Sequence, residues 1–298
     1  MKENGWDSPE LIYEVSHHRS LCDSIIQLYN DFETIANIEK KYISGLHGDI
    51  PIYIYTPHGK GPFPVILHFP TGGFVGGGPG SAGGLCQNLA SRSNSVVILV
   101  DFHKAPEYKY PAAPNDAYTV LEWVAKHGNK LNIDSNKIAV SGDSAGANLA
   151  ALTCVRSRNE NGPKILLQLL LVPYIDLAMS TDSVKNIRTL PANSYPYLEW
   201  INRLYLPANV DPMDPKVSPF WETELKNLPK AVIVTTGHDS HLDQGRIYAE
   251  KLKNAGNEVI YKNYPGMIHI FLNMEDILPE AKEANFELAL EIKKAFMN

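Results

Sequence analysis

The sequence predicts an α/β protein with a mostly parallel β-sheet that helices cover on both sides. From about residue 64 onward, short runs of consecutive apolar residues alternate with segments whose apolar residues recur every three or four positions. Runs that are apolar throughout are typical of strands buried on both faces, and their alternation with helices favours parallel strands. A chain of 298 residues can form one such domain with an insertion, so a single domain over residues 1–298 is predicted.

The predicted strands follow one another at the spacing that this architecture requires. Ile50, Ile52 and Ile54 have a period-two pattern after a turn signal at 47–49, which predicts a hairpin strand with one buried face. The other strands are predicted from the apolar runs at residues 65–69, 96–100, 138–140, 165–172, 231–234 and 259–261.

Helices are predicted between these strands and at both ends of the chain. Apolar residues three or four apart predict helices at about residues 117–124, 147–156 and 248–256 and after Pro279. Residues 1 to about 40 have a helix-like pattern as well. The segment 177–219 has no strand run and is rich in aromatic residues and proline, which indicates an inserted lid.

Composition excludes several classes of function. The 27 Lys and Arg residues against 33 Asp and Glu give a net charge of −6 without basic runs, so nucleic-acid binding is not expected. No apolar run approaches the roughly 20 residues that cross a bilayer, and residues 1–10 do not resemble a signal peptide. Three widely spaced cysteines fit reduced thiols, and a cytoplasmic location is therefore predicted.

The most informative motif is G-x-S-x-G at residues 142–146, between a predicted strand and a predicted helix. The two glycines allow a sharp strand-to-helix turn that exposes the hydroxyl of Ser144 above the sheet edge. A serine nucleophile needs an imidazole base and a carboxylate that orients the base, in the chain order Ser, acid, His. Asp239 and His269 follow two later strands and fill these roles, because the carboxyl ends of parallel strands meet at one edge.

Acyl transfer also needs backbone donors for the developing oxyanion. The N–H of Ala145, directly after the nucleophile, is one predicted donor. The others are predicted in the loop after the first parallel strand, where the backbone of Thr71, Gly72 and Gly73 can approach a carbonyl oxygen closely.

These residues resemble the hormone-sensitive-lipase-like branch of the α/β-hydrolases, which includes small bacterial carboxylesterases. The resemblance runs from about residue 50 to 271, through motifs at residues 64–67, 101–113, 142–146, 214–219, 237–243 and 266–269. It implies an eight-stranded sheet, a helical cap formed by about 1–45 and about 177–219, and hydrolysis of short-chain acyl esters without a cofactor or metal. It also implies a small-molecule ester as the partner and a possible homodimer.

The chain departs from the family pattern at the loop that should hold the oxyanion. Pro70 and Thr71 stand where the family has His-Gly, so the imidazole that braces this loop in the family is missing. A β-branched residue also resists the positive φ that glycine accepts. Elsewhere, Ser240 and His241 follow Asp239 where Pro-Leu is usual.

Three other functions remain open from the sequence. Residues 78–83 match G-x-G-x-x-G, with Asp101 positioned like a ribose-binding acid, although Pro79 removes a donor from the loop. A metal hydrolase is suggested by the possible ligands at residues 238–243. The third is a non-catalytic binding protein, suggested by the altered loop.

The predicted function is a serine carboxylesterase, with an apolar acyl pocket formed by Phe74, Trp200 and Tyr205.

Overall fold

An eight-stranded β-sheet lies at the centre of the protein. The computed structural model describes residues 13–24, 32–186 and 193–297. The strands are β1 (Asn37–Gly45), β2 (Gly48–Thr56), β3 (Phe63–Phe69), β4 (Val96–Val100), β5 (Ile133–Asp143), β6 (Leu167–Leu171), β7 (Lys230–His238) and β8 (Val259–Ile268).

The strands lie side by side in the order β1-β2-β4-β3-β5-β6-β7-β8. β2 is antiparallel to both β1 and β4. The other neighbours in this order, from β4 through β3 to β8, are parallel to one another. Parallel neighbours require crossover connections, and the connecting helices close both faces of the sheet. The predicted α/β class and the mostly parallel sheet are therefore confirmed.

Eight α-helices flank the sheet in the described part of the chain. They are α1 (Val15–Ser24), α2 (Pro79–Ser93), α3 (Ala112–His127), α4 (Ala145–Asn159), α5 (Asp182–Asn186), α6 (Tyr195–Tyr205), α7 (Leu242–Asn254) and α8 (Pro279–Met297). Short 3-10 helices occupy Gly128–Leu131, Pro219–Trp221 and Phe271–Asn273.

The core consists of two apolar layers, one on each face of the sheet. Alternate residues of a single strand enter different layers: Ile98 packs with α3, α4 and α7, whereas its neighbours Val97 and Leu99 pack with α2 and α8. Burial on both faces explains why these strands read as uninterrupted apolar runs in the sequence. Cys22, Cys86 and Cys154 are buried and unpaired. None of the helices in the described ranges has the length and apolar character to cross a membrane.

The N-terminal prediction needs correction. Asn37–Gly45 is strand β1, which pairs with β2 across a tight turn, so the helix pattern expected up to about residue 40 and the cap boundary at about 45 are wrong there. β1 is an edge strand whose side chains are mostly exposed, with Ile43 the buried one. An edge strand without a buried face lacks the periodicity that identifies strands. Residues 25–31, where part of the helix prediction falls, lie outside the described ranges.

The insertion between β6 and β7 agrees with the prediction of a strand-free segment. Its described residues, 177–186 and 193–219, contain α5 and α6 and no strand. α6 packs its apolar face on the core through Leu198 and Ile201, beside the loop that follows β3.

Candidate active site

Ser144 occupies the sharp turn between β5 and α4. Its backbone has φ 56° and ψ −117°, a conformation in which a residue with a Cβ is strained. A Cβ on Gly142 would lie 2.2 Å from the carbonyl of Gly146, and a Cβ on Gly146 would lie 1.9 Å from the carbonyl oxygen of Phe69. Both glycines are therefore required by close backbone approach, as the motif predicts.

Asp239 and His269 follow directly after β7 and β8 and are in contact. His269 Nδ1 donates a hydrogen bond of 2.7 Å to Asp239 Oδ2, and both side chains are buried. Ser144 follows β5 at the same carboxyl edge of the sheet, where its N–H donates to the carbonyl of Leu171 at the end of β6. The structure thus gathers the three predicted residues at one edge and joins two of them by a hydrogen bond.

The carboxyl of Asp239 has a second imidazole partner. Its Oδ1 accepts the backbone N–H of His241 at 3.0 Å and lies 3.1 Å from His241 Nδ1. Burial alone would raise the pKa of Asp239, but the two imidazoles, His269 and His241, outweigh it and hold that pKa well below its usual range. Burial lowers the pKa of His241, more than Asp239 raises it. Both effects favour a charged carboxylate beside a neutral His241.

The loop after β3, residues 70–77, is called the glycine loop below. Gly72 has φ 116° and Gly73 has φ 64°, whereas Thr71 does not take a positive φ. The β-branched Thr71 is thus unstrained in φ, and the positive φ values of this loop fall on Gly72, Gly73, Phe74 and Gly77. The backbone N–H groups of Thr71, Gly72, Gly73 and Ala145 have no hydrogen-bond acceptor among the described residues. Unpaired donors of this kind are what an oxyanion needs.

Two of the three aromatic residues predicted for an acyl pocket join the glycine loop to α6, and the third packs on α1. Phe74 lies in the glycine loop and stacks on Tyr205 of α6, with ring centroids 3.9 Å apart and planes 5° apart. Both side chains are fully buried. Trp200, also on α6, contacts the rings of Tyr13 and His18 edge-on. Their assignment to an acyl pocket stays a prediction.

Asp239, His241 and His269 also form the group of side chains whose spacing could suit a metal ion, since their ligand atoms lie within 4.8 Å of one another. The hydrogen bonds to the carboxylate already use Nδ1 of both imidazoles. Two other residues of the predicted cluster are not part of the group: His238 is exposed, and Asp243 accepts the N–H of Ser183.

The G-x-G-x-x-G segment starts α2, with Gly78 as the residue before the helix.

Comparison with known proteins identifies the class to which this arrangement belongs. The sequence model of the α/β-hydrolase fold family matches residues 66–273, and the chain therefore belongs to that family. The resemblance that the motifs indicate is confirmed.

Individual relatives are esterases by name. Esterase LipI of Mycobacterium tuberculosis (strain ATCC 25618 / H37Rv) is 34% identical over 247 residues, which cover 81% of this chain and 77% of that protein. Carboxylic ester hydrolase LipN of the same strain is 31% identical over 273 residues, covering 89% and 71%. Among solved structures, a hyperthermophilic esterase from the archaeon Pyrobaculum calidifontis superimposes with a TM-score of 0.89 and 35% identity, covering 94% of this chain and 93% of that one.

Sequence reasoning missed three contacts at the site. His18 and Arg19 of α1 hydrogen-bond the glycine loop, and His241 hydrogen-bonds Asp239. His241 was visible as a departure from the family pattern. No local signal marked His18, because its partner is 54 residues away in the sequence.

Proposed function

We propose that this protein is a serine carboxylesterase in which Ser144 is the nucleophile, His269 the general base and Asp239 the residue that orients the imidazole. The observation that carries the proposal is the hydrogen bond from His269 Nδ1 to Asp239 Oδ2, at the sheet edge where Ser144 takes its strained turn. Because Nδ1 carries the proton of this bond, Nε2 is the basic nitrogen. The esterase names of the relatives support the reaction class.

In the proposed reaction, Ser144 Oγ bonds to the ester carbonyl carbon while its proton passes to His269 Nε2. The tetrahedral intermediate collapses as the C–O bond to the alcohol breaks, and His269 returns the proton to the departing oxygen. A water molecule then attacks the acyl-serine by the same route and releases the carboxylic acid and free Ser144. Asp239 stays ionised throughout and stabilises the imidazolium that forms twice in each cycle.

The oxyanion of both intermediates is proposed to bind the N–H groups of Ala145 and Gly72, with Thr71 or Gly73 as a third donor. The absence of competing acceptors for these donors among the described residues supports this assignment. One such donor contributes about 10²–10³ in rate. The hydrogen bonds from the N–H groups of Val75 and Gly76 to the carbonyl of Gly72 support a preorganised loop that substrate does not need to reorganise.

The proposed substrate is a small, uncharged ester with a short acyl chain, as the family resemblance implies. Phe74, Trp200 and Tyr205 are proposed to bound the acyl side, since all three lie in the glycine loop or on the adjoining helix α6. The proposed steps use side chains, backbone donors and water, and they call for no cofactor or metal. Esters of graded acyl length would test the preference, and we expect kcat/KM to fall as the chain lengthens.

The test of the nucleophile is Ser144→Ala together with labelling by a fluorophosphonate. We expect turnover of p-nitrophenyl acetate to fall by about 10³ or more and the label to map to Ser144 in the unmodified protein. Ser157→Ala is the matched control, because Ser157 also lies on α4 and its hydroxyl donates to the carbonyl of Pro163, at the end of the helix far from Ser144. A Ser144→Ala protein that keeps its activity would overturn the assignment.

The alternative, a non-catalytic binding protein, is motivated by Pro70 in the glycine loop. It predicts an unmodified protein that binds esters without turnover and takes no label on Ser144.

We further propose a cytoplasmic location, which the three unpaired cysteines support. The homodimer that the family resemblance implies stays a prediction, and sedimentation velocity would test it.

A further inference from the structure

The glycine loop begins with Pro70, which has neither an imidazole nor a backbone N–H to hold the loop. A loop that presents oxyanion donors must nevertheless be fixed to a fraction of an ångström, since its rate advantage depends on donors that are already in place. The question is which group fixes it in this chain.

The side chain of His18 bonds the glycine loop from helix α1. Its Nε2 lies 3.0 Å from the carbonyl oxygen of Gly72, which also accepts the N–H groups of Val75 at 3.1 Å and Gly76 at 2.9 Å. A carbonyl can only accept, so Nε2 carries the proton, and Nδ1 is left to accept from the hydroxyl of Tyr197, 3.4 Å away on α6. His18 is 5% exposed.

This bond acts on a peptide unit that the proposed mechanism uses. The carbonyl of Gly72 and the N–H of Gly73 belong to the same planar peptide, so fixing the oxygen also fixes the direction of the N–H. A hydrogen bond accepted by the carbonyl polarises the peptide and strengthens the N–H as a donor. Gly73 N–H is one of the donors without an acceptor among the described residues.

The next residue of α1 holds the other end of the loop. Arg19 Nε donates to the carbonyl of Val75 at 2.9 Å, and a terminal nitrogen of the same guanidinium donates to the carbonyl of Ala105 at 3.0 Å. Ala105 in turn donates its N–H to Phe74 of the loop. The guanidinium also pairs with Glu107, whose side chain is half exposed.

The helix and the loop approach too closely for extra atoms between them. A Cβ on Gly76 would lie 3.0 Å from the sulfur of Cys22 and 3.2 Å from the ring of His18. On its other side the imidazole packs against the rings of Tyr197 and Trp200, whose centroids lie 5.8 and 5.7 Å from its own, so the ring is enclosed between the glycine loop and α6. Burial lowers the pKa of His18, more than its bond to Gly72 raises it, so the ring is neutral at pH 7 with the one proton that the bond to Gly72 needs.

We propose that His18 is a positioning residue that fixes and polarises the Gly72–Gly73 peptide from the cap, in place of the imidazole that the glycine loop lacks at position 70. This inference rests on the proposed function, because its catalytic consequence requires that the glycine loop bind the oxyanion. Arg19 holds the same loop at Val75, so helix α1 fixes the loop at two points.

The test compares three variants of α1 on a short p-nitrophenyl ester. His18→Leu removes the donor at similar volume, and we expect kcat to fall about 10- to 100-fold while KM changes by less than about threefold. His18→Gln places an amide N–H near the position of Nε2, and we expect it to restore most of kcat. His17→Leu is the matched control, since no hydrogen bond joins His17 Nε2 to another described residue.

A trifluoromethyl ketone, which forms an oxyanion on binding to serine, separates positioning from general damage. We expect its affinity to fall in His18→Leu by the same factor as kcat, with thermal stability close to that of His17→Leu. Unchanged kcat in His18→Leu, or equal losses in His18→Leu and His18→Gln, would overturn the proposal.

Hydrogen exchange distinguishes a failure of this inference from a failure of the proposed function. The N–H groups of Val75 and Gly76 donate to the carbonyl that His18 bonds, so we expect both to exchange faster in His18→Leu than in His17→Leu. If the unmodified protein hydrolyses no ester, the proposed function fails, and exchange still tests the fixing of the loop. Unchanged exchange rates at Val75 and Gly76 in His18→Leu would contradict the fixing of the loop by His18.

Discussion

His241 and His269 bind the same carboxylate through its two different oxygens. Nδ1 of His269 lies 2.7 Å from Asp239 Oδ2, and Nδ1 of His241 lies 3.1 Å from Asp239 Oδ1. The two rings have centroids 5.0 Å apart. A carboxylate that accepts hydrogen bonds from two imidazoles stabilises each one less than it would stabilise a single partner.

This sharing predicts the pH profile of a His241 variant. In His241→Leu, Asp239 loses one of the two imidazoles that hold its pKa down, so the carboxyl becomes protonated at a higher pH than in the unmodified protein. We expect the acid limb of kcat/KM to move to higher pH, because a protonated Asp239 no longer orients and stabilises the imidazole of His269. A pH-rate profile on a neutral ester measures this.

His241→Asn is the matched control, because the Asn amide can donate from the position of Nδ1. We expect its profile to stay close to that of the unmodified protein. Identical shifts in both variants would contradict the role of the second imidazole.

The glycine loop should tolerate a change at Thr71 and not at Gly72. Thr71 has no positive φ, so Thr71→Gly is expected to keep kcat within about threefold. In Gly72→Ala the new Cβ would lie 2.5 Å from the carbonyl of Gly76 at a φ of 116°, and we expect kcat to fall about 10²–10³-fold. Steady-state kinetics of both variants checks this, and a large loss in Thr71→Gly would contradict it.

The strand-to-helix turn predicts a stability difference between two glycine variants. Gly146→Ala places a Cβ 1.9 Å from the carbonyl oxygen of Phe69, so we expect a loss of more than about 2 kcal/mol in the free energy of unfolding. Gly266→Ala is the control, because nothing lies within 4 Å of its Cβ, and its effect should stay within about 0.5 kcal/mol. Urea unfolding measures both, and equal midpoints would refute the close approach.

Two buried histidines predict that stability falls in mild acid. Burial lowers the pKa of His18 and of His241 from an ordinary 6.5, so below that pH the unfolded chain binds more protons than the folded one. The unfolding free energy is therefore highest above about pH 6.5 and falls as the pH drops. The depressed pKa of Asp239 adds a further loss below about pH 4.

Melting temperatures measured between about pH 7.5 and about pH 5 test this dependence. We expect a smaller decrease for His18→Leu and for His241→Leu than for the unmodified protein. His58→Gln replaces an exposed histidine and should leave the slope unchanged. A slope that is the same in all four proteins would contradict the assignment.

The sequence by itself determined where the parallel strands lie along the chain and that Ser144, Asp239 and His269 follow three of them. Strands buried on both faces must be apolar throughout, and a nucleophile turn between strand and helix requires glycine on both sides, so both features leave local marks. β1 left no such mark, because an exposed edge strand is held by its pairing with β2 and not by a buried face.

Only the tertiary structure decided which side chains support the site. The bond from His18 to Gly72 joins residues 54 positions apart, and the stacking of Phe74 on Tyr205 joins the glycine loop to α6. The contact of His241 with Asp239 spans two residues, yet it depends on how the loop after β7 folds. Periodicity reports which face of an element is buried, whereas a particular hydrogen bond depends on the packing of separate elements, which no local pattern encodes.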